Sequence, residues 1–121
     1  MRKIKFRAWD KKHMAYQGTP DLETLHSFMF HYGDKILMQY TGLTDKNGVE
    51  IFEGDIVKIK FYYQDNFVVE YMGNAFELID GKDGYIGNFD EWELSEVIGN
   101  IHENMDLLNE NWKTIICLKN G

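Results

Sequence analysis

The side chains here that could do chemistry are four histidines, twenty carboxylates, thirteen cations and one cysteine, and their spacing limits what they can do. His26 and His31 form the nearest histidine pair. Five residues apart is a poor spacing for one helix face, and no cysteine or carboxylate pair beside them completes a zinc ligand set. His13 stands apart, and His102-Glu103 beside a strand end is equally unspecific. Glu53 with Asp55, and Asp90, Glu91 and Glu93, would run acid–base catalysis only in a pocket that drives two pKa values apart. Turn acids and solvated strand faces explain these carboxylates more simply. Gly42, Gly48 and Gly54 recur every six residues, which fits neither a phosphate loop nor a dinucleotide fingerprint, so they are read as turn glycines. Without a nucleophile and base in one motif, the chain reads as a non-enzyme with no cofactor and no metal.

Binding chemistry is more plausible than catalysis. Lys3, Lys5 and Arg7 alternate along one strand face beside Trp9, and Lys58 and Lys60 form a second basic face. Basic residues next to an aromatic can hold single-stranded nucleic acid by phosphate contact and base stacking. The global balance opposes this, with a formal charge of −7 and a pI near 5.0. Ten Lys or Arg face eight Asp or Glu in residues 1–60, whereas three face twelve in residues 61–121. The basic face therefore pairs more readily with the acidic run Asp90, Glu91, Glu93 and Glu96, within one chain or between copies of a homo-oligomer. The acidic second half also admits a reading as a nucleic-acid mimic that blocks a DNA-binding enzyme.

The elements that must position these residues are short strands. Eleven glycines against one proline and 15% aromatic content suit pleated surfaces joined by tight turns. Ile4, Phe6 and Ala8 alternate with the basic residues, which predicts a half-buried strand, and Asp10 to His13 turns it back into Met14-Ala15-Tyr16. Thr19-Pro20-Asp21 signals a helix start with Leu22, Leu25 and Met29 on one face, kept short by Phe28, Phe30 and Tyr32. Ile36 to Thr41 reads as a strand, Asn47-Gly48 as the positive-φ turn of a hairpin into Val49–Phe52, and Gly54-Asp55 as a corner. Val57, Ile59, Phe61 and Tyr63 are expected to face inward on the next strand, with Lys58, Lys60 and Tyr62 outward, and a further run begins after Gln64-Asp65-Asn66. A hairpin about Gly73-Asn74, a turn at residues 80–84 and a late strand from Glu96 to His102 with a bulge or close approach at Gly99 complete the pattern. Asn104 to Leu108 could form one helical turn, and Trp112 to Leu118 another strand.

Glycine turns about every ten residues favour an all-β fold, a small antiparallel SH3-like barrel or sandwich with an N-terminal hairpin extension. At 121 residues one domain is expected, with residues 1–34 as hairpin and short helix, 35–108 as barrel core and 109–121 as C-terminal extension. Cys117 sits in an apolar run and reads as a reduced core residue. The basic start lacks the apolar core of a signal peptide, and no apolar run approaches the roughly 20 residues that span a bilayer. A cytoplasmic protein with no membrane partner is expected.

Three segments resemble the YopX proteins of bacteriophages and prophages in Gram-positive bacteria: Ile4-Lys5-Phe6-Arg7-Ala8-Trp9-Asp10, the stretch from Met38 to Val57, and Val97-Ile98-Gly99-Asn100-Ile101-His102-Glu103-Asn104. They occur in the family's order and span about residues 3–108. The resemblance implies a mostly β protein with an SH3-like or related barrel, of phage origin, acting in the host bacterium. It implies no established activity, so no catalytic residue carries over. Met105-Asp106 departs from the proline and acid usual in the family at this point, and residues 109–121 lie beyond the recognised part. The reading that follows is a phage or prophage protein that docks on a host or phage protein as a non-enzymatic interaction module.

Overall fold

The computed structural model describes residues 4–18, 21–59, 62–71, 76–79, 85–86 and 94–108. The alternating start forms β1 (Phe6–Trp9), and a turn held by Asp10 Oδ1, which accepts from the backbone N–H groups of Lys12 and His13, leads into β2 (Met14–Tyr16). β1 then pairs on its other side with β3 (Ile36–Thr44), which pairs in turn with β4 (Glu50–Phe52), giving a sheet in the order β2-β1-β3-β4. The opening hairpin is thus continuous with the sheet that carries the central signature.

A second sheet has the order β8-β7-β6-β5-β9, with β5 at Asp55–Ile59, β6 at Tyr62–Tyr71, β7 at Phe76–Ile79, β8 at Tyr85–Ile86 and β9 at Ser95–Asn100. All strand pairs are antiparallel. The protein is mainly β, with antiparallel sheets that curl into a half-barrel, consistent with a small all-β barrel. One helix, α1 (Leu22–Tyr32), joins β2 to β3.

Two corners bring the sheets together. At the first, Gly54 N donates to Val69 O and Gly54 O accepts from Ile101 N, so one glycine bridges β6 and the segment after β9. Gly54 has φ +87°, and a Cβ there would meet Met38 Sδ at 3.0 Å. Gly54→Ala is expected to cost about 1–3 kcal/mol through left-handed backbone strain, measured as a lowered midpoint in urea with unchanged slope. At the second corner, the β3–β4 loop reaches β9: Lys46 N donates to Ser95 O, and Val97 N donates to Asp45 Oδ2 at 2.9 Å. These bonds cover the outer edge of β9, which would otherwise offer open donors and acceptors.

The core lies on both faces of β5. Val57 and Ile59 pack with Ile51, Phe67, Val69 and Leu78, while Ile56 packs on the other face with Val68 and Leu108. The inward positions expected at Val57 and Ile59 are thus buried, and Ile56 adds a second covered face because β5 is central to its sheet. Lys58 remains exposed, as expected. Each fully buried Ile or Val contributes about 1.5–3 kcal/mol of transfer free energy.

Other expectations are corrected locally. The chain reverses between Ile59 and Tyr62, which are register partners, so β5 stops before Tyr63 and Gln64-Asp65-Asn66 lies within β6. Gln64 to Asn66 fall where the β5–β6 register shifts, between the Val57–Phe67 and Ile59–Tyr62 pairs. Asp21 caps α1, accepting from Thr24 N at 2.8 Å and Thr24 Oγ1 at 2.7 Å, while Thr19 and Pro20 lie outside the described residues. The helix continues through the aromatics, with Phe28 buried and its ring 4.9 Å from that of Tyr32 one turn later. In the β3–β4 loop only Gly48 has positive φ, and Asp45 sets the loop by accepting from Asn47 N and Val49 N.

Gly48 and Gly54 have positive φ, as turn glycines should, whereas Gly42, also at positive φ, lies within β3 where the β3–β4 register shifts. Gly99 marks a close approach: a Cβ on it would lie 2.5 Å from Asn104 Oδ1, which accepts from Asn100 N. The β5–β9 register shifts beside it, between the Ile56–Gly99 and Val57–Val97 pairs. The turn after β9 is a short 3₁₀ helix, Met105–Leu107. Gly73-Asn74, residues 80–84 and the expected strand at Trp112 to Leu118 with Cys117 lie outside the described residues.

Candidate functional site

Arg7 stands at the centre of a region where buried charge and surface clefts meet. Its place on β1, opposite Tyr16 of β2 and Met38 of β3, aims the guanidinium towards the Gly54 corner. There Arg7 Nη1 lies 2.8 Å from Asp55 Oδ1, Arg7 Nη2 donates to Glu53 O at 3.1 Å, and the guanidinium carbon sits 4.9 Å from the Phe52 ring centre. Arg7 and Asp55 are each about 3% exposed, so the pair is removed from water. Asp55 Oδ2 also accepts from Phe52 N at 2.7 Å. Burial pushes the Asp55 carboxyl above its ordinary pKa, with the Arg7 charge and the Phe52 N–H pulling the other way.

This placement corrects the open basic face expected for Arg7. Strand alternation puts Arg7 and Ala8 on opposite faces, but both are buried because β1 lies inside a sheet whose concave side closes over the guanidinium. Lys5 is engaged by Glu50, with Nζ 2.8 Å from Oε1. Trp9 stacks on His102, with ring centres 5.6 Å apart and planes at 17°. Lys3 lies outside the described residues, as do Lys60, Asp90, Glu91 and Glu93. Glu96 stands opposite Lys58 in the β5–β9 register, and its Oε2 lies 3.5 Å from Lys46 Nζ.

Two clefts flank the Arg7–Asp55 pair. The larger, about 390 Å³, lies between β4 and β9, with Arg7 and Asp55 in its wall and Tyr16 and Val49 at its exposed rim. Its charges are largely matched in pairs, Arg7 with Asp55 and Glu50 with Lys5.

The second cleft, about 270 Å³, lies at the Gly54 corner, walled by Ile36, Leu37, Val68 and Tyr71, with Glu53, Glu70 and His102 as its ionisable groups. Glu53 is half-buried, and its Oε1 is 3.5 Å from Gln39 N, at the long limit of a hydrogen bond. Burial raises the Glu53 carboxyl above its ordinary pKa, and the Glu70 charge adds to the rise. Burial and then Arg7 lower the His102 imidazole, with Glu103 opposing, which favours the neutral ring. Sequence spacing could not find this cleft, because Glu53 stands at the β4–β5 corner and Glu70 on β6, seventeen positions away; the one signal was the Gly54-Asp55 corner.

Among the described residues no group of three or more His, Cys, Asp or Glu is placed to hold a metal ion, and no helix is long and apolar enough to cross a membrane. No curated protein matches the chain. Among solved structures, the chain is similar to protein EF1440 from Enterococcus faecalis, with 28% identity and a TM-score of 0.61 over 90% of this chain and 100% of that one. A family model for YopX protein matches residues 17–109, starting after β1 and including the central signature, the Gly54 corner and β9. With well over half of its length matched, the chain belongs to the YopX protein family.

Proposed function

We propose that this protein is a non-enzymatic interaction module that docks a host or phage protein at the Gly54 cleft. The observation that carries this reading is the rim of that cleft, where Ile36 from one sheet and Tyr71 from the other remain 40% and 48% exposed beside an otherwise apolar wall. Large apolar side chains left in water around a concavity favour a protein partner. The buried charges support the same reading. Asp55 is engaged by Arg7 and Phe52 N, and is therefore poorly placed to exchange protons with a substrate. Lys5 and Arg7 are engaged by Glu50 and Asp55, which leaves them little to offer a phosphate backbone.

The test is capture of partners from host lysate and from infected cells with the tagged full chain, beside a Tyr71→Glu variant. One stoichiometric protein held by the wild type and lost with Tyr71→Glu is expected. Undiminished capture by the variant would remove the cleft from the reading, and turnover in an unbiased activity screen would end the non-enzymatic reading.

A further inference from the structure

We infer that the Gly54 cleft accepts a lysine or arginine side chain, presented by an apolar segment of the docked protein, and that Glu53 is the group that selects it. This rests on the interaction-module reading and names the chemistry of its partner.

The cleft presents two kinds of surface. Ile36, Leu37, Val68 and Tyr71 give it apolar walls, and Glu53 at the β4–β5 corner and Glu70 on β6 place two carboxylates in the same concavity. A long cationic side chain matches both, since its methylene stem lies along apolar surface while its charged head seeks an acid. A carboxylate drawn from water needs strong hydrogen bonds or a counter-charge. Glu53 has the long contact from Gln39 N, while Arg7, the nearest buried cation, is directed to the Asp55 carboxylate and to the main-chain oxygen of Glu53. A cation entering the cleft would supply the missing donor and relieve the repulsion between Glu53 and Glu70.

Size argues for one side chain. At about 270 Å³ the cleft falls just below the range of roughly 300–1,000 Å³ usual for small-molecule pockets. The other groups facing it do not oppose a cation strongly: His102 is held towards its neutral form, and the Arg7 charge is matched by Asp55.

The experiment is an NMR titration of the full chain with three blocked tripeptides, leucine-lysine-leucine, leucine-glutamine-leucine and leucine-glutamate-leucine. The lysine peptide is expected to shift the backbone amides of Gly54, Glu70 and Ile101 and to lower the titration midpoint of the Glu53 carboxyl. Glu53→Gln should weaken that peptide about tenfold, as expected for loss of one charge-assisted contact. The same variant should unfold at an equal or higher temperature, because the ionised carboxylate it removes is disfavoured by burial. Equal shifts from all three peptides, or unchanged lysine-peptide binding by Glu53→Gln, would overturn the inference. Capture of one lysate partner by wild type and Glu53→Gln alike would also overturn it while leaving the module reading intact. Lysine-peptide binding without any captured partner would sustain the cation chemistry and remove the module reading.

Discussion

Arg7→Met, with Asp55 left in place, is expected to destabilise the protein by about 3–5 kcal/mol, the cost of leaving one member of a buried ion pair without its partner. Asp55→Asn alone should fall in the same range, because it retains an acceptor for Phe52 N but strands the guanidinium. The double variant Arg7→Met/Asp55→Asn should recover most of either loss, since no isolated charge remains and methionine fills much of the arginine volume. Urea unfolding of all four proteins completes the cycle. A double variant as unstable as the sum of the singles would show that Arg7 and Asp55 act separately, and the account of the Gly54 corner would fail. The pair matters to more than stability, because Arg7 also donates to the main chain at Glu53, whose carboxyl lines the candidate cleft.

The second large effect should come from Asp45. Its carboxylate accepts from Asn47 N, Val49 N and Val97 N, so it shapes the β3–β4 loop and binds that loop to β9. Asp45→Ala is expected to cost about 2–4 kcal/mol, because several backbone donors lose a charged acceptor at once. Asp45→Asn should cost less, keeping one oxygen but losing the charge.

The pH dependence separates this residue from Asp55. Burial works to raise the Asp45 carboxyl, but the three N–H donors together hold it below its ordinary pKa. Its stabilisation is therefore fully present above the unfolded pKa and is lost as pH falls through the lower folded value. Asp55 and Glu53 are raised, so the folded state takes up protons at these sites and their ionisation erodes stability as pH rises through the folded values. Asp45→Asn should flatten the most acidic part of the stability profile, and Glu53→Gln should remove part of the decline above it. A profile unchanged below the ordinary carboxylate range in Asp45→Asn would contradict the assignment.

Much of the architecture was legible locally. Gly48 and Gly54 announced positive-φ turns, alternation announced β1, and Gly99 announced a close approach, because each depends on backbone conformation or on neighbours a few residues away. The errors arose where distant pairing outweighed local preference. The strand begun at Val57 was expected to run to Tyr63, but it ends at Ile59 and β6 returns alongside it from Tyr62. The aromatics of α1 read as a limit to the helix, and it does end at Tyr32 after 11 residues, with Phe28 and Tyr32 meeting one turn apart and the Asp21 cap securing the first turn.

The candidate site shows the same division more sharply. Residue types and order alone were enough for a β fold with glycine corners and for the family resemblance, since both reside in contiguous segments. Whether a given charge faces water was decided by tertiary structure. Arg7 alternates with Phe6 and Ala8 as an outward residue should, but sheet curvature turns its face inward and brings Asp55, 48 positions away in sequence, to 2.8 Å. Glu53 and Glu70 likewise share a cleft only because Gly54 bridges to Val69 and Ile101. Strand period specifies the side of a strand, whereas burial of that side depends on what the rest of the chain places against it.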